Sequence, residues 1–130
     1  MRTVRQFLFL LVFIPHFLNA QSITSIVPDS AQQGQNLWVT ITGSSTNFSL
    51  TTSTLDSVWL SQGGATIYAT YVNTYSTYEM DAGFNIPLSA TTGLWDVNVK
   101  DSIDGKITLV NGFTIKVADP PPTAPTLNNP

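Results

Sequence analysis

The sequence predicts an all-β sandwich, and three observations carry that prediction. Beyond residue 20 the polar residues are mainly Ser and Thr, and Val, Ile, Phe, Tyr and Trp recur between them, side chains that pack well on a pleated surface and disfavour helix. Several short segments alternate apolar and polar residues at a period of two, and none sustains a helical repeat. Turn residues separate these segments at short intervals, leaving no stretch long enough for a crossover helix. A sheet with one apolar face must bury it against another layer, and the only layer available here is a second sheet.

The chain opens with Arg2 and Arg5 ahead of the apolar run Phe7 to Ile14, then Pro15, His16 and a small residue at Ala20. This three-part layout is that of a secretory signal peptide, so residues 1–20 are expected to be removed and the rest to be secreted or held at the cell surface. The apolar run falls short of the roughly 20 residues that a membrane span needs, and no stable membrane insertion of the mature domain is expected.

The first strand is expected over Ser22 to Val27, stopped by Pro28, Asp29 and Ser30, with Gly34 as a further turn. In Gln35 to Thr42, Leu37, Val39 and Ile41 point one way and Trp38, Thr40 and Thr42 the other. Ser44 to Thr54 is polar apart from Phe48 and Leu50 and reads as a long loop with one or two side chains tucked back over the sandwich edge. Asp56 to Ser61 forms a third strand, with Trp59 opposite Val58 and Leu60, and Gly63 and Gly64 supply a tight reversal. A fourth strand runs Ala65 to Val72 with no clear inward face, and Asn73 to Thr77 turns the chain.

The cleanest alternation sets Tyr78, Met80, Ala82, Phe84 and Ile86 against Glu79, Asp81, Gly83 and Asn85, giving one dry face and one wet face. Pro87 ends it by removing a ladder donor. Trp95, Val97 and Val99 alternate with Asp96 and Asn98 in the next strand. Lys106 to Val110 and Phe113 to Val117 form the last strand or strand pair, with a turn or bulge at Asn111 and Gly112. The expected core is Ile26, Leu37, Val39, Ile41, Val58, Leu60, Met80, Phe84, Ile86, Trp95, Val97, Val99, Phe113 and Ile115. Residues 119–130 hold five prolines in twelve positions, the composition of a stiff extended linker.

Charge and inventory exclude several functions. Without residues 1–20 only Lys100, Lys106 and Lys116 face eight acids, a net charge of −5 (3 − 8) that cannot supply the positive footprint of a nucleic-acid binder. Cysteine is absent, so neither disulfides nor a thiolate metal site can hold the domain. The sole histidine, His16, lies in the leader, and no Ser-His-acid triad can form without it. Glu79 with Asp81 and Asp101 with Asp104 are the carboxylate pairs. The first reads as solvated surface, and the second as a turn that Asp101 caps, short of the six to eight oxygens that Ca²⁺ takes. No catalytic residue, metal or cofactor is therefore expected. Asn47-Phe48-Ser49 fits a glycosylation acceptor.

Ile26-Val27-Pro28-Asp29-Ser30-Ala31, Gly34, Leu37-Trp38-Val39-Thr40-Ile41-Thr42-Gly43, Gly93-Leu94-Trp95-Asp96-Val97-Asn98-Val99, Asp104-Gly105 and Asn111-Gly112-Phe113-Thr114-Ile115 resemble the immunoglobulin-like, plexin and transcription-factor domains called IPT or TIG. The resemblance covers about residues 22–118. It implies an immunoglobulin-like, early-set β-sandwich of seven to eight antiparallel strands over residues 21–118. Similar bacterial domains serve extracellular proteins as spacers, adhesion units or attachments to sugar-handling machinery. No functional residue carries over, since the likeness concerns fold and not site.

The expectation that follows is a non-catalytic extracellular structural or adhesion module. It would contact adjacent domains of a longer polypeptide or another surface protein. The alternatives are a carbohydrate-binding module, or an accessory domain of a polysaccharide-degrading enzyme. Trp95, in register with Val97 and Val99, reads as core. Trp59, Trp38, Tyr71 and Tyr75 are the candidate ligand-binding residues, since an outward aromatic ring can stack on a glycan or cover a neighbouring domain.

Overall fold

A computed structural model describes residues 19–48 and 58–126. Among these residues the chain forms nine strands: β1 (Ser22–Val27), β2 (Ser30–Gln32), β3 (Asn36–Ser44), β4 (Val58–Gln62), β5 (Ala65–Tyr68), β6 (Tyr71–Thr74), β7 (Glu79–Asn85), β8 (Gly93–Asp101) and β9 (Gly105–Lys116). They make two sheets, a four-stranded one ordered β1-β3-β7-β6 and a five-stranded one ordered β2-β9-β8-β4-β5. Every pair is antiparallel except β2 with β9, which run parallel. Residues 1–18 of the leader expected over 1–20, Leu50, Asp56 and the end of the proline-rich segment lie outside the described residues. Within the described residues, no helix is long and apolar enough to cross a membrane.

The core lies between the sheets and contains all fourteen residues of the expected core, with Leu37 only partly buried. Phe48 is fully buried, in keeping with a loop that tucks one or two side chains over the sandwich edge. Trp95 is the largest buried side chain, and its indole N–H donates to the Thr91 carbonyl at 2.9 Å. This bond removes the one polar cost of placing a tryptophan inside.

Two register shifts keep the core continuous. In β1, Ile23 pairs with Gly43 and Ser25 with Thr42, so the extra residue Thr24 lets both Ile23 and Ile26 face inward. In β9, Phe113 pairs with Trp95 and Leu109 with Val97, so Val110, Asn111 and Gly112 together oppose Asp96. Two extra residues preserve the parity of alternation, and both Ile107 and Ile115 remain inside. Asn111 adopts the left-handed φ of 55°, and its N–H is held by the Asp96 carboxylate at 2.8 Å. The last strand is therefore one bulged strand, not a pair.

Five expectations need correction, beginning with the count: nine strands, with β2 parallel to β9, stand where seven to eight antiparallel ones are expected, because a three-residue strand and a strand split between sheets leave no separate alternation. The single strand expected over Ala65 to Val72 is two strands in different sheets. Ala69 N–H bonds the Val58 carbonyl of one sheet, and Thr70 N–H bonds the Gly83 carbonyl of the other, both within 2.9 Å. Inward residues run Ile67, Ala69 and then Val72, so the parity breaks at the crossing. Asn73 and Thr74 belong to β6, and the turn begins at Tyr75. Tyr78 is exposed, because the dry face of β7 starts only at Met80 and Tyr78 still belongs to the preceding turn. The segment after Pro28 contains β2, whose only buried side chain is Ala31; three residues with one small apolar side chain give no readable alternation.

Candidate functional site

The outer face of the four-stranded sheet is built from alternate residues of β3, β7 and β6. One row across it is Trp38, Gly83 and Tyr71, directly in register. The adjacent row is Thr40, Asp81 and Asn73. Gly83 has no side chain, and the space a Cβ would occupy lies 3.6 Å from both Cε2 and Cη2 of Trp38. The indole thus spreads over the glycine instead of standing away from the sheet. It meets Tyr71 at 5.2 Å between ring centroids with the planes at 68°, an edge-to-face pair. Both rings remain more than half exposed, at 57% and 51%.

Beside this pair, the Asp81 carboxylate accepts two hydroxyl hydrogen bonds, from Thr40 at 2.8 Å and from Tyr75 at 2.7 Å. The bond to Asp81 holds the Tyr75 phenol above its ordinary pKa, opposed in part by a hydrogen bond with Asn73. Tyr75 is placed for this role by the turn after β6, where Tyr75 and Ser76 N–H groups both bond the Glu79 carbonyl.

Trp59 sits on the other side of the molecule, on the outer face of the five-stranded sheet. It pairs with Tyr68 across β4 and β5, the rings 6.2 Å apart, and the Lys106 ammonium lies 5.5 Å from its centroid. Next to it Asn98 is buried, donating to Ser61 Oγ at 2.9 Å and accepting from Thr108 Oγ1 at 2.9 Å. The four sequence candidates are therefore not one site. Trp38, Tyr71 and Tyr75 share a face, while Trp59 has Tyr68 and Lys106 as company on the opposite one.

The sequence reading missed Tyr68, which the break in parity at Thr70 disguised. It also missed Gly83 and Asp81 as parts of the aromatic face. The glycine at an outward position of an otherwise regular strand was the available signal, since such a residue often marks a close approach by another group.

The Asp101 and Asp104 carboxylates are engaged structurally. Asp101 accepts the Ile103 N–H at 2.7 Å and so caps the turn that ends at Gly105, whose φ is 73°. Asp104 accepts from the backbone and side-chain amides of Asn47 and from Gln21. The side-chain amide of Asn47, the glycosylation candidate, is thus already bonded. No group of three or more metal-ligating side chains gathers among the described residues. No protein-family model matches the sequence, and comparison with curated proteins and with solved structures likewise finds no match.

Proposed function

We propose that the chain is a non-catalytic extracellular module of the immunoglobulin-like, IPT/TIG kind, which holds neighbouring domains apart and contacts a partner through its outer faces. The strand order supports the fold: β1-β3-β7-β6 against β9-β8-β4 corresponds to the two sheets of an immunoglobulin sandwich, ABED and GFC. The absence of a mature histidine and the structural engagement of Asp101 and Asp104 support a non-catalytic role.

The observation that carries the spacer reading is the position of the chain ends of the sandwich. Gln21 lies against Asp104 at the β8–β9 turn, whereas Asp119 bonds Gln32 and the Ala118 N–H bonds Gln33 beyond the far end of β9. The chain enters at one pole and leaves at the other, with β9 running the distance between them. At about 3.3 Å per residue, less the bulge, this separation is roughly 30–40 Å. Modules joined through such poles extend in line.

The chain has no cysteine, so Ser22→Cys and Val117→Cys allow two spin labels at chosen exposed sites. One narrow distance distribution of roughly 30–40 Å is expected. A broad distribution, or a separation under about half that value, would exclude a rigid spacer.

A further inference from the structure

The outer face of β3, β7 and β6 combines an open aromatic corner with neutral hydrogen-bonding groups and a carboxylate. Trp38 lies across Gly83 and Tyr71 stands against its edge. An interior strand glycine is unfavourable on conformational grounds, and here it lets the indole settle on the sheet with its outer surface free. The next row lies about 7 Å along the strands, two residues at the usual rise, and presents Thr40, Asp81 and Asn73. Each carboxylate oxygen of Asp81 has one partner and therefore retains acceptor capacity.

The charge of this face is one-sided. Glu79 and Asp81 lie on it, while Lys100, Lys106 and Lys116 all belong to β8 and β9 of the other sheet. Anionic glycans, nucleic acids and anionic lipid are repelled there. Asn36, Thr40, Thr42, Asn73 and Asn85 outnumber the two acids, which favours a hydroxyl-rich neutral partner over a polycation.

We infer that the Trp38–Tyr71 corner binds a neutral saccharide. The apolar C–H face of one sugar ring stacks on the Trp38 indole, Tyr71 limits it at the side, and a hydroxyl of the same or the next sugar donates to Asp81. A bond of that kind to an ionised acceptor is stronger than one between neutral groups. The inference rests on the reading of the chain as a binding and spacing module, and it names the partner of one face. Trp59, on the opposite face, takes no part.

The test titrates the full chain with three neutral hexasaccharides, built of β-1,4-linked glucose, mannose or xylose, and follows binding by calorimetry. At least one should bind with a dissociation constant of about 1 mM or tighter. Trp38→Ala and Tyr71→Ala should each weaken it at least tenfold, with Trp59→Ala unchanged. Asp81→Asn, which keeps the shape of the side chain, should weaken it several-fold and serves as the second variant if Trp38→Ala fails to fold by circular dichroism. No binding by any of the three at ten times that concentration overturns the inference and leaves the spacer geometry standing. Equal loss in Trp59→Ala, or displacement of the sugar by a lysine-rich peptide, also overturns it. Cleavage of the bound hexasaccharide, read by chromatography on the same samples, would support the site and overturn the non-catalytic reading.

Discussion

The carboxylate of Asp104 receives both the backbone N–H and the side-chain amide of Asn47, at 2.5 and 2.9 Å. This clamp ties the β8–β9 turn to the segment leaving β3, next to the buried Phe48. Hydrogen bonds to a charged group contribute about 1.5–3 kcal/mol each when well formed, less where exposed. Asp104→Ala is expected to destabilise the domain by about 1–3 kcal/mol in a denaturant titration, with Asp104→Asn recovering part of the loss. Identical stability of Asp104→Ala and the parent chain would show that the clamp contributes nothing.

Gly43 makes the same corner possible. A Cβ there would lie 2.5 Å from Thr46 Oγ1 and 3.0 Å from Phe48 Cζ, while Thr46 Oγ1 is committed to the Thr77 carbonyl at 2.8 Å. The neighbours cannot all give way, and Gly43→Ala should cost about 1–3 kcal/mol as an overpacking change. A thermal melt that matches the parent within error is the contrary result.

Trp95 anchors the core between β8 and β9. Trp95→Ala removes the largest buried side chain and frees the Thr91 carbonyl, and a loss of about 3–5 kcal/mol is expected. Trp95→Phe keeps most of the packing and forfeits the indole bond, so its cost should be clearly smaller. Equal costs for the two would mean that packing volume is not what Trp95 supplies.

Tyr75 offers a reading of Asp81 that does not depend on any ligand. The hydrogen bond to Asp81 holds the phenol above its unfolded value of about 10, so the neutral form is favoured in the folded protein. A raised folded-state pKa adds stability that is present in full below the unfolded value and is lost as pH rises through the folded one. The group is exposed, so the effect on stability is small. Asp81→Asn should bring the Tyr75 titration down toward the ordinary tyrosine range, seen as tyrosinate absorbance at lower pH. An unshifted titration would rule out control by Asp81.

What the sequence made legible was set by how long an alternating segment ran. β3, β7 and β8 carry seven to nine residues each, and their inward registers were read without error apart from Tyr78, just before β7. β2 has three residues and one inward alanine, too few to establish a period. β5 and β6 are separated by a crossing inside an unbroken β-prone run, and only the shift from Ile67 and Ala69 to Val72 betrays it. For the site, outward aromatics were visible as Trp38, Trp59, Tyr71 and Tyr75. Their division between two faces was not, because strand order is a property of pairing and not of local pattern.

The crossing at Ala69 and Thr70 has a consequence for how the protein comes apart. Neighbouring amides in one peptide stretch are committed to different sheets, and the chain carries no cysteine that could join the layers covalently. Parting the layers at this corner must then break a bond to each sheet, at the edges that β5 and β6 form. In deuterium exchange these two amides should therefore lose protection together, a dipeptide fastening one sheet edge to the other.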